Sequence, residues 1–135
     1  MWKLLHVKLD ERVVVLRHGL PLRALGPGRH VVWGFGLSDL RWNTGELLFD
    51  AHPAVRAILP REWFAEVTLG PRERGVLFRD GRPLRFLRPG VHRFWTVDPS
   101  VRLEVFDVDR PVPELTDELI AILPRGEIVS AVIPE

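Results

Sequence analysis

The sequence predicts a mainly β protein with short helices, built from two tandem β-hairpin repeat units of about 60 residues each. Three observations lead to this fold class. One stretch of sequence occurs twice, tight-turn dipeptides separate short apolar runs, and each copy holds only one short segment with helical periodicity. The fold class therefore follows from turns and repetition more than from strand propensity.

The repeat is clearest between positions 11–33, ERVVVLRHGLPLRALGPGRHVVW, and positions 73–95, ERGVLFRDGRPLRFLRPGVHRFW. Placing Glu11 on Glu73 aligns the two stretches without a gap, and 13 of 23 positions are identical. Such a repeat predicts the same supersecondary structure in both copies. The predicted domains are a first β repeat unit over residues 1–62 and a second over residues 63–135.

Each copy is predicted to run strand, tight turn, strand, Pro-Gly turn, strand. His-Gly in the first copy and Asp-Gly in the second favour a type I′ hairpin turn, which needs positive φ at both central residues. Pro-Gly presets a type II turn, with glycine supplying its positive φ. The predicted structural turn residues are Gly19, Pro27, Gly28, Asp80, Gly81, Pro89 and Gly90. The predicted strands are 4–9, 12–17, 22–25, 29–33 and 91–95.

Beyond Trp33 and Trp95 the copies diverge, beginning with a glycine-rich stretch in the first that we expect to be flexible. Strands ending in Phe-Asp are expected at 46–50 and 103–107, with the second copy about five residues shorter. One short helix per unit follows, each closed by Ile-Leu-Pro-Arg, because proline ends a helix. These helices are predicted over 52–59 and 114–123, and strands over 63–69 and 127–133.

The last predicted strand holds the place of the strands that lead into Glu11-Arg12 and Glu73-Arg74. A third Glu-Arg unit would follow in the same pattern, so we read the chain as an N-terminal piece of a longer protein. The alternative is that the final strand closes the sheet of a complete protein.

Composition and charge narrow the classes of function. The chain has 135 residues, 46% of them apolar, a net charge of +1 and no cysteine, which excludes disulfides and thiolate metal sites. No apolar run could span a bilayer, and the N-terminus does not resemble a signal peptide. We therefore expect a cytoplasmic protein, with association at the inner face of the membrane as a further expectation from the resemblance given below.

Arginine supplies 17 of the 19 basic residues. Arginine suits interfacial ion pairs because its planar guanidinium binds carboxylates bidentately, although a GC-rich genome gives the same bias. Two pairs are expected across the hairpins, where like charges need carboxylates from another strand or subunit. The candidate interface residues are therefore Arg17, Arg23, Arg79 and Arg85.

No motif for catalysis, phosphate binding or metal binding is present in the sequence. We therefore predict no enzymatic activity, no cofactor and no metal site. His30 and His92 recur at equivalent positions, and we interpret them as turn residues that bind a backbone carbonyl. An enzyme with a pocket between the two units is the weaker alternative.

The five tryptophans allow two interpretations. Trp33 and Trp95 are repeat positions, where large aromatic residues normally fill a core, and we predict both as core residues. Interleaved with arginine, the tryptophans could instead stack single-stranded bases. The alternative function is thus an Arg/Trp-rich nucleic-acid or polyanion-binding module, although we expect no nucleic-acid partner.

The segments ERGVLFRDGR, at 73–82, and LRPGVH, at 87–92, resemble the first strands of stomatin-like proteins of the SPFH or band 7 superfamily, specifically the bacterial slipins. Residues 11–32 resemble the pattern again, with Gly-Pro-Gly at 26–28. The second copy departs from it at Arg88. The membrane hairpin and the long Ala- and Glu-rich tail of the family have no counterpart in this sequence.

The resemblance implies a non-enzymatic scaffold or assembly module of a slipin-like protein, acting through protein–protein contacts. Its expected partners are further copies of itself or other protein subunits. Peripheral membrane association would come through the rest of a full-length protein. The family has no catalytic residues to transfer to this chain.

Overall fold

The computed structural model describes residues 1–109 and confirms a mainly β fold with short helices in that range. Within residues 1–109, ten strands form four small antiparallel sheets. The strands are β1 (Trp2–Val7), β2 (Glu11–Arg17), β3 (Leu20–Leu25), β4 (Gly28–Trp33), β5 (Leu37–Asn43), β6 (Phe64–Leu69), β7 (Glu73–Arg79), β8 (Arg82–Leu87), β9 (Gly90–Trp95) and β10 (Arg102–Asp107).

Each repeat contributes one three-stranded sheet, β3-β2-β5 in the first copy and β8-β7-β10 in the second. The hairpin turns are those the sequence predicts, with φ of 51° and 79° at His18 and Gly19 and of 54° and 77° at Asp80 and Gly81. A register shift follows Val15 in β2 and recurs at the equivalent place in β7, after Leu77. The two copies therefore share even their irregularities.

At the Pro-Gly turns the predicted positive φ is confirmed, since Gly28 and Gly90 both have a φ of 131°, but this value is well above the roughly +80° of a type II turn. Each turn leads into the strand of a two-stranded ribbon, which is β1–β4 in the first copy and β6–β9 in the second. The opening strand β1 begins at Trp2, ahead of the predicted strand 4–9, since Trp2 already pairs with Trp33. Lys8 and Leu9 lie outside the strand, before β2.

The predicted strand 46–50 is wrong. The partner of β2 is β5, over residues predicted in part to be flexible, whereas Thr44–Glu46 is a 3-10 turn and Leu48 makes only an isolated bridge to Phe94. The two Phe-Asp dipeptides are not at equivalent positions. Phe106 pairs with Arg74, and the residue that pairs with the equivalent Arg12 is Trp42. The predicted strand 103–107 is confirmed as β10.

This pairing changes the alignment of the copies. Trp42 matches Phe106, and the same alignment places Ile-Leu-Pro-Arg at 58–61 on Ile-Leu-Pro-Arg at 122–125. The loop after the recurring tryptophan is therefore slightly longer in the second copy, where the sequence had predicted a shorter one. From Trp42 onward the two copies align without a gap.

The predicted helix 52–59 is a single α-helical turn, α1 (Pro53–Arg56), with a second 3-10 turn at Arg61–Trp63. The helix begins at Pro53 because its fixed φ suits the first helical position, and His52 Nδ1 accepts a hydrogen bond of 3.1 Å from the Ala54 amide. The predicted helix 114–123 and strand 127–133 lie outside the described residues.

The chain divides into two compact units, and the first comprises Met1–Ala65 with Arg93–Val97. One core cluster of this unit lies between the β1–β4 ribbon and β2, and it contains Leu5, Val7, Val13, Val15, Leu25 and Val32. The other consists of Val14, Val55, Leu59 and Trp95 with surrounding aromatic residues. A strand end from the second sequence copy thus completes the first unit.

The second unit comprises Glu66–His92 and, within the described residues, 98–109. Leu69, Val76, Leu77 and Leu87 are buried there. Gly75 replaces the valine found at position 13, and a Cβ at Gly75 would lie 3.1 Å from Leu103. In the part of the chain that the structure describes, no helix is long and apolar enough to cross a bilayer.

Candidate interaction site

The outer face of the β1–β4 ribbon carries four exposed apolar side chains. Trp2 pairs with Trp33 and Leu4 with Val31 in the antiparallel register, and paired residues share a face of the ribbon. Their exposed fractions are 55%, 68%, 58% and 46% respectively. We call this set of four residues the Trp2–Trp33 face.

The opposite side of the same ribbon is buried. Leu5, Val7 and Val32 alternate with the exposed residues and pack in the core of the first unit. A ribbon with apolar side chains on both faces is expected when both faces are covered, and only one face is covered in this unit. Contiguous exposed apolar patches of this kind mark interaction sites.

The geometry of the Trp2–Trp33 face is fixed by contacts at its edge. The two indole rings are 6.4 Å apart between centroids, with 53° between their planes. The Lys3 ammonium donates to Asp39 Oδ1 at 2.7 Å, which ties β1 to β5. The Gly34 amide donates to the Met1 carbonyl at 2.8 Å and closes the end of the ribbon. The tryptophans are thus held on a braced strand pair.

The equivalent positions of the β6–β9 ribbon have a different character. The alignment that places Glu11 on Glu73 also puts Phe64, Glu66, Arg93 and Trp95 where the Trp2–Trp33 face has Trp2, Leu4, Val31 and Trp33. The aromatic pair is kept, but the aliphatic pair has become a charged one. Trp95 is 1% exposed, and Phe64 packs against the same core cluster.

The prediction that Trp33 and Trp95 are both core residues is therefore half right. Trp95 is buried as predicted, whereas Trp33 is exposed, so its assignment to the core is wrong. The reason is that the first unit supplies a cover for Trp95, and the described chain supplies none for Trp33.

The cover over Trp95 comes from residues 42–59, which we call the cover segment. Phe49 stacks on Trp95 with ring centroids 4.0 Å apart, and the Trp42 ring lies 6.1 Å away. Backbone bonds hold the segment in place, since the Trp95 amide donates to the Leu47 carbonyl at 2.9 Å. Val55 and Leu59 from the helical turn complete the cluster.

The recurring Glu-Arg pairs have a structural role that the sequence did not reveal. Glu11 Oε1 accepts from the Lys8 amide at 3.0 Å, and Glu73 Oε1 accepts from the Gly70 amide at 2.7 Å. The next residue, Arg12 or Arg74, donates to carbonyls of the same turn, those of Leu9 and Glu11 or of Pro71 and Glu73. Each pair thereby clamps the turn before the central strand.

The recurring histidines are turn residues, as predicted. His30 Nε2 lies 2.8 Å from the Gly26 carbonyl, and His92 Nε2 lies 2.7 Å from the Arg88 carbonyl. Because a carbonyl oxygen only accepts, Nε2 must carry the proton in both rings. Neither histidine then needs a ligand to explain its recurrence.

Two of the candidate interface arginines lie in each unit, and the predicted pairing of Arg17 with Arg23 and of Arg79 with Arg85 across the hairpins is wrong. The register shift places Arg23 opposite Val15 and Arg17 opposite Leu20, while Arg85 lies opposite Leu77. Arg23 Nη2 donates to the Val31 carbonyl at 3.3 Å, which puts one cation beside the Trp2–Trp33 face. Arg79 lies near Asp98 in the second unit. Their interface role stays a prediction.

Among the ionisable groups of residues 1–109, three have clearly shifted pKa values, Glu11, Arg12 and Asp98. The hydrogen bond from the Lys8 amide, with a smaller contribution from Arg41, lowers the pKa of Glu11. Hydrogen bonds from the Ser100 amide and hydroxyl, and then Arg79, lower the pKa of Asp98. Burial lowers the pKa of Arg12, whose guanidinium lies 5.1 Å from the Trp63 ring centroid. The lowered pKa values keep Glu11 and Asp98 charged at neutral pH.

Within residues 1–109 no group of three His, Asp or Glu side chains could hold a metal ion. Asp109, at the end of the Asp-Val-Asp stretch, pairs with Arg72, and Asp107 accepts from the Asp109 amide at 2.8 Å. These carboxylates serve the turn after β10.

Comparison of the chain with family models, with curated proteins and with solved structures finds no match.

Sequence reasoning missed Trp2, Leu4 and Val31 as members of a site. The available signal was the contrast between copies at matched strand positions, where Leu4 and Val31 become Glu66 and Arg93. A repeat that replaces an exposed apolar pair with charges indicates that the two ribbons meet different surroundings.

Proposed function

We propose that this chain is a non-enzymatic scaffold or assembly module, and that it belongs to a slipin-like protein and acts through protein–protein contacts. The observation that carries the assembly role is the Trp2–Trp33 face. Tryptophan is enriched at the centres of protein interfaces because it buries a large rigid area at low entropic cost. Two braced indoles beside two aliphatic side chains fit that description.

The recurring motifs support the slipin-like part of the proposal. Their glutamates and arginines clamp turns, and their histidines bind carbonyls, so the residues that carry the resemblance maintain a β unit. A motif that recurs because it maintains the structure of a β unit is consistent with a scaffold. In this proposal the protein works in the cytoplasm, at the inner face of the membrane, with membrane association coming from the rest of a longer chain.

Light scattering over a wide concentration range tests the assembly role. We expect the mass to rise above the 15.5 kDa of one chain as concentration increases. A mass that stays at 15.5 kDa at every concentration would contradict assembly through this chain.

A polyanion-binding module is the second candidate, because Arg23 places a guanidinium at the Val31 carbonyl, on the edge of a face that exposes two indoles. Single-stranded nucleic acid would stack its bases on Trp2 and Trp33 and neutralise its phosphates on such cations. Titration with single-stranded DNA or RNA at low salt, followed by tryptophan fluorescence, tests it. Salt-sensitive quenching would favour this candidate, and no quenching at low salt would remove it.

A further inference from the structure

The cover segment has a partial counterpart later in the sequence, which keeps apolar residues around the helical turn but has Pro111 and Pro113 where the first copy has Leu47 and Phe49. The alignment of Trp42 with Phe106, fixed by β5 and β10, maps residues 42–59 onto 106–123 without a gap. Residues 110–123 lie outside the described residues, so the comparison is one of sequence. Apolar residues recur at five positions that pack in the first cluster: Trp42, Ala51, Val55, Ile58 and Leu59 become Phe106, Leu115, Leu119, Ile122 and Leu123.

The aromatic strand end is also written twice, as Trp2 with Trp33 and as Phe64 with Trp95. The sequence therefore contains two aromatic strand ends, one cover segment at 42–59 and one candidate for a second at 106–123. In the first unit, one aromatic strand end packs on the cover segment: Trp95 lies against residues 42–59 and is 1% exposed. The Trp2–Trp33 face and residues 106–123 are the remaining pair.

We propose that the Trp2–Trp33 face of one copy of this chain docks on residues 106–123 of a second copy. This inference rests on the assembly function proposed above and names its surfaces. The contact joins two different surfaces, so in a pair of copies one keeps an unused Trp2–Trp33 face and the other an unused segment 106–123, and further copies can add at both ends. Leu119 and Leu123 then take the places that Val55 and Leu59 have beside Trp95, whereas Phe49, which stacks on Trp95, is replaced by Pro113.

Charge at the two surfaces is complementary. His6 pairs with Arg29 in the ribbon register, on the side of the Trp2–Trp33 face, and Arg23 lies at its edge. The second cover segment carries three acidic residues at 114–118, ELTDE, where the first carries only Asp50 at 50–54, DAHPA. The second segment has more negative charge, and the Trp2–Trp33 face, which residues 1–109 leave exposed, has basic neighbours. Opposite charges at the rim would orient the docking.

Complementation between two variants tests the proposal on the full chain. Trp33→Glu disables the face and leaves residues 106–123 intact, while Leu123→Glu does the reverse. We expect each variant alone to remain at 15.5 kDa and a mixture to form a heterodimer of about 31 kDa, twice that mass. Leu20→Glu is the matched control because Leu20 is 71% exposed outside the ribbon, and it should assemble like the wild type.

Three results would overturn the proposal. Assembly of Leu123→Glu alone would indicate that the Trp2–Trp33 face binds another copy of itself. Assembly of Trp33→Glu as in the wild type would place the contact on another surface, and both results would leave the assembly function standing. A wild-type chain that stays monomeric would contradict both the proposed contact and the assembly function on which it rests.

Cross-linking keeps the test valid if Leu123→Glu fails to fold, as circular dichroism would show. Because the chain has no cysteine, Trp33→Cys and Leu119→Cys each introduce a single thiol. A short bifunctional maleimide should join the two variants to each other when they are mixed. Joining of Trp33→Cys only to itself would contradict the head-to-tail contact.

Discussion

At the residue scale, the most repeated side chains of this protein act on turns. Glu11 and Glu73 accept backbone amides from the turn just upstream, and Arg12 and Arg74 donate to carbonyls of the same turns. A polar residue that recurs at a fixed offset can therefore be explained by backbone groups that need partners. Recurrence in a repeat protein is evidence of structure before it is evidence of chemistry.

The first prediction concerns Glu11→Gln and pH. Because the pKa of Glu11 is held below its ordinary value of 4.5, its stabilisation is present above the unfolded-state pKa and is lost as pH falls through the folded-state pKa. We expect Glu11→Gln to lower the urea midpoint at about pH 7 and to differ less from the wild type at about pH 3. An equal difference at both pH values would contradict this role of the carboxylate.

The second prediction concerns Gly36, which has a φ of 67° beside the His18 ring. A Cβ at Gly36 would overlap that ring, whereas a Cβ at Gly19, with a φ of 79°, meets nothing within 4 Å. Gly19→Ala should cost about 1 kcal/mol for its backbone strain alone. Gly36→Ala should cost roughly 1–3 kcal/mol more, as overpacking does.

Urea denaturation measures both Gly36 and Gly19 variants. The His18→Gly background supplies the control, because glycine accepts the φ of 51° at that position and removes the ring. In that background the additional cost of Gly36→Ala should disappear. Persistence of the full cost would show that the His18 ring is not its cause.

At the element scale, the two ribbons show how one strand pattern can serve two environments. Trp33 ends β4 and Trp95 ends β9 at the same repeat position, yet one is 68% and the other 1% exposed. Strand propensity and alternation are the same in both. What differs is the chain segment that covers the strand end, which is a property of the surroundings.

The third prediction compares Trp95→Ala with Trp33→Ala in the free energy of unfolding. Trp95→Ala removes a fully buried indole and should cost about 3–5 kcal/mol. Trp33→Ala should change stability by no more than about 0.5 kcal/mol when the chain is dilute, because its side chain is exposed. Urea denaturation at low protein concentration checks both values. A large loss for Trp33→Ala under those conditions would contradict its exposed position.

The sequence was sufficient to predict the hairpins but not all their partners. Asp-Gly and Pro-Gly encode their own backbone geometry, so the positive φ values at Gly19, Gly28, Gly81 and Gly90 could be predicted from the local sequence alone. The strand β5 could not, because β3 and β4 separate it in the chain from its partner β2 and flanking glycines suggested a loop. Nonlocal pairing decides such segments.

The interaction site was harder to predict than the fold. Because Trp33 and Trp95 recur at one repeat position, the sequence suggested that both are core residues. Only the structure shows that Trp95 is buried in a core cluster while Trp33 is exposed. The replacement of Leu4 and Val31 by Glu66 and Arg93 in the second copy indicates that the two ribbons differ in their surroundings. In the sequence alone it cannot be told from ordinary variation of surface residues.

At the scale of the whole molecule, assembly should cover the outer side of the β1–β4 ribbon. The fourth prediction is that amide and side-chain access at Trp2–Val7 and Gly28–Trp33 depends on protein concentration, whereas access at the first hairpin turn, His18 and Gly19, does not. The turn is the internal control because it lies outside the Trp2–Trp33 face.

Hydrogen–deuterium exchange by mass spectrometry, at one dilute and one concentrated condition, tests this claim most directly. We expect slower exchange in peptides that cover β1 and β4 at high concentration, and loss of that change in Trp33→Glu. Equal exchange of β1 and β4 at both concentrations, with the mass rising all the same, would place the assembly contact elsewhere and contradict the account.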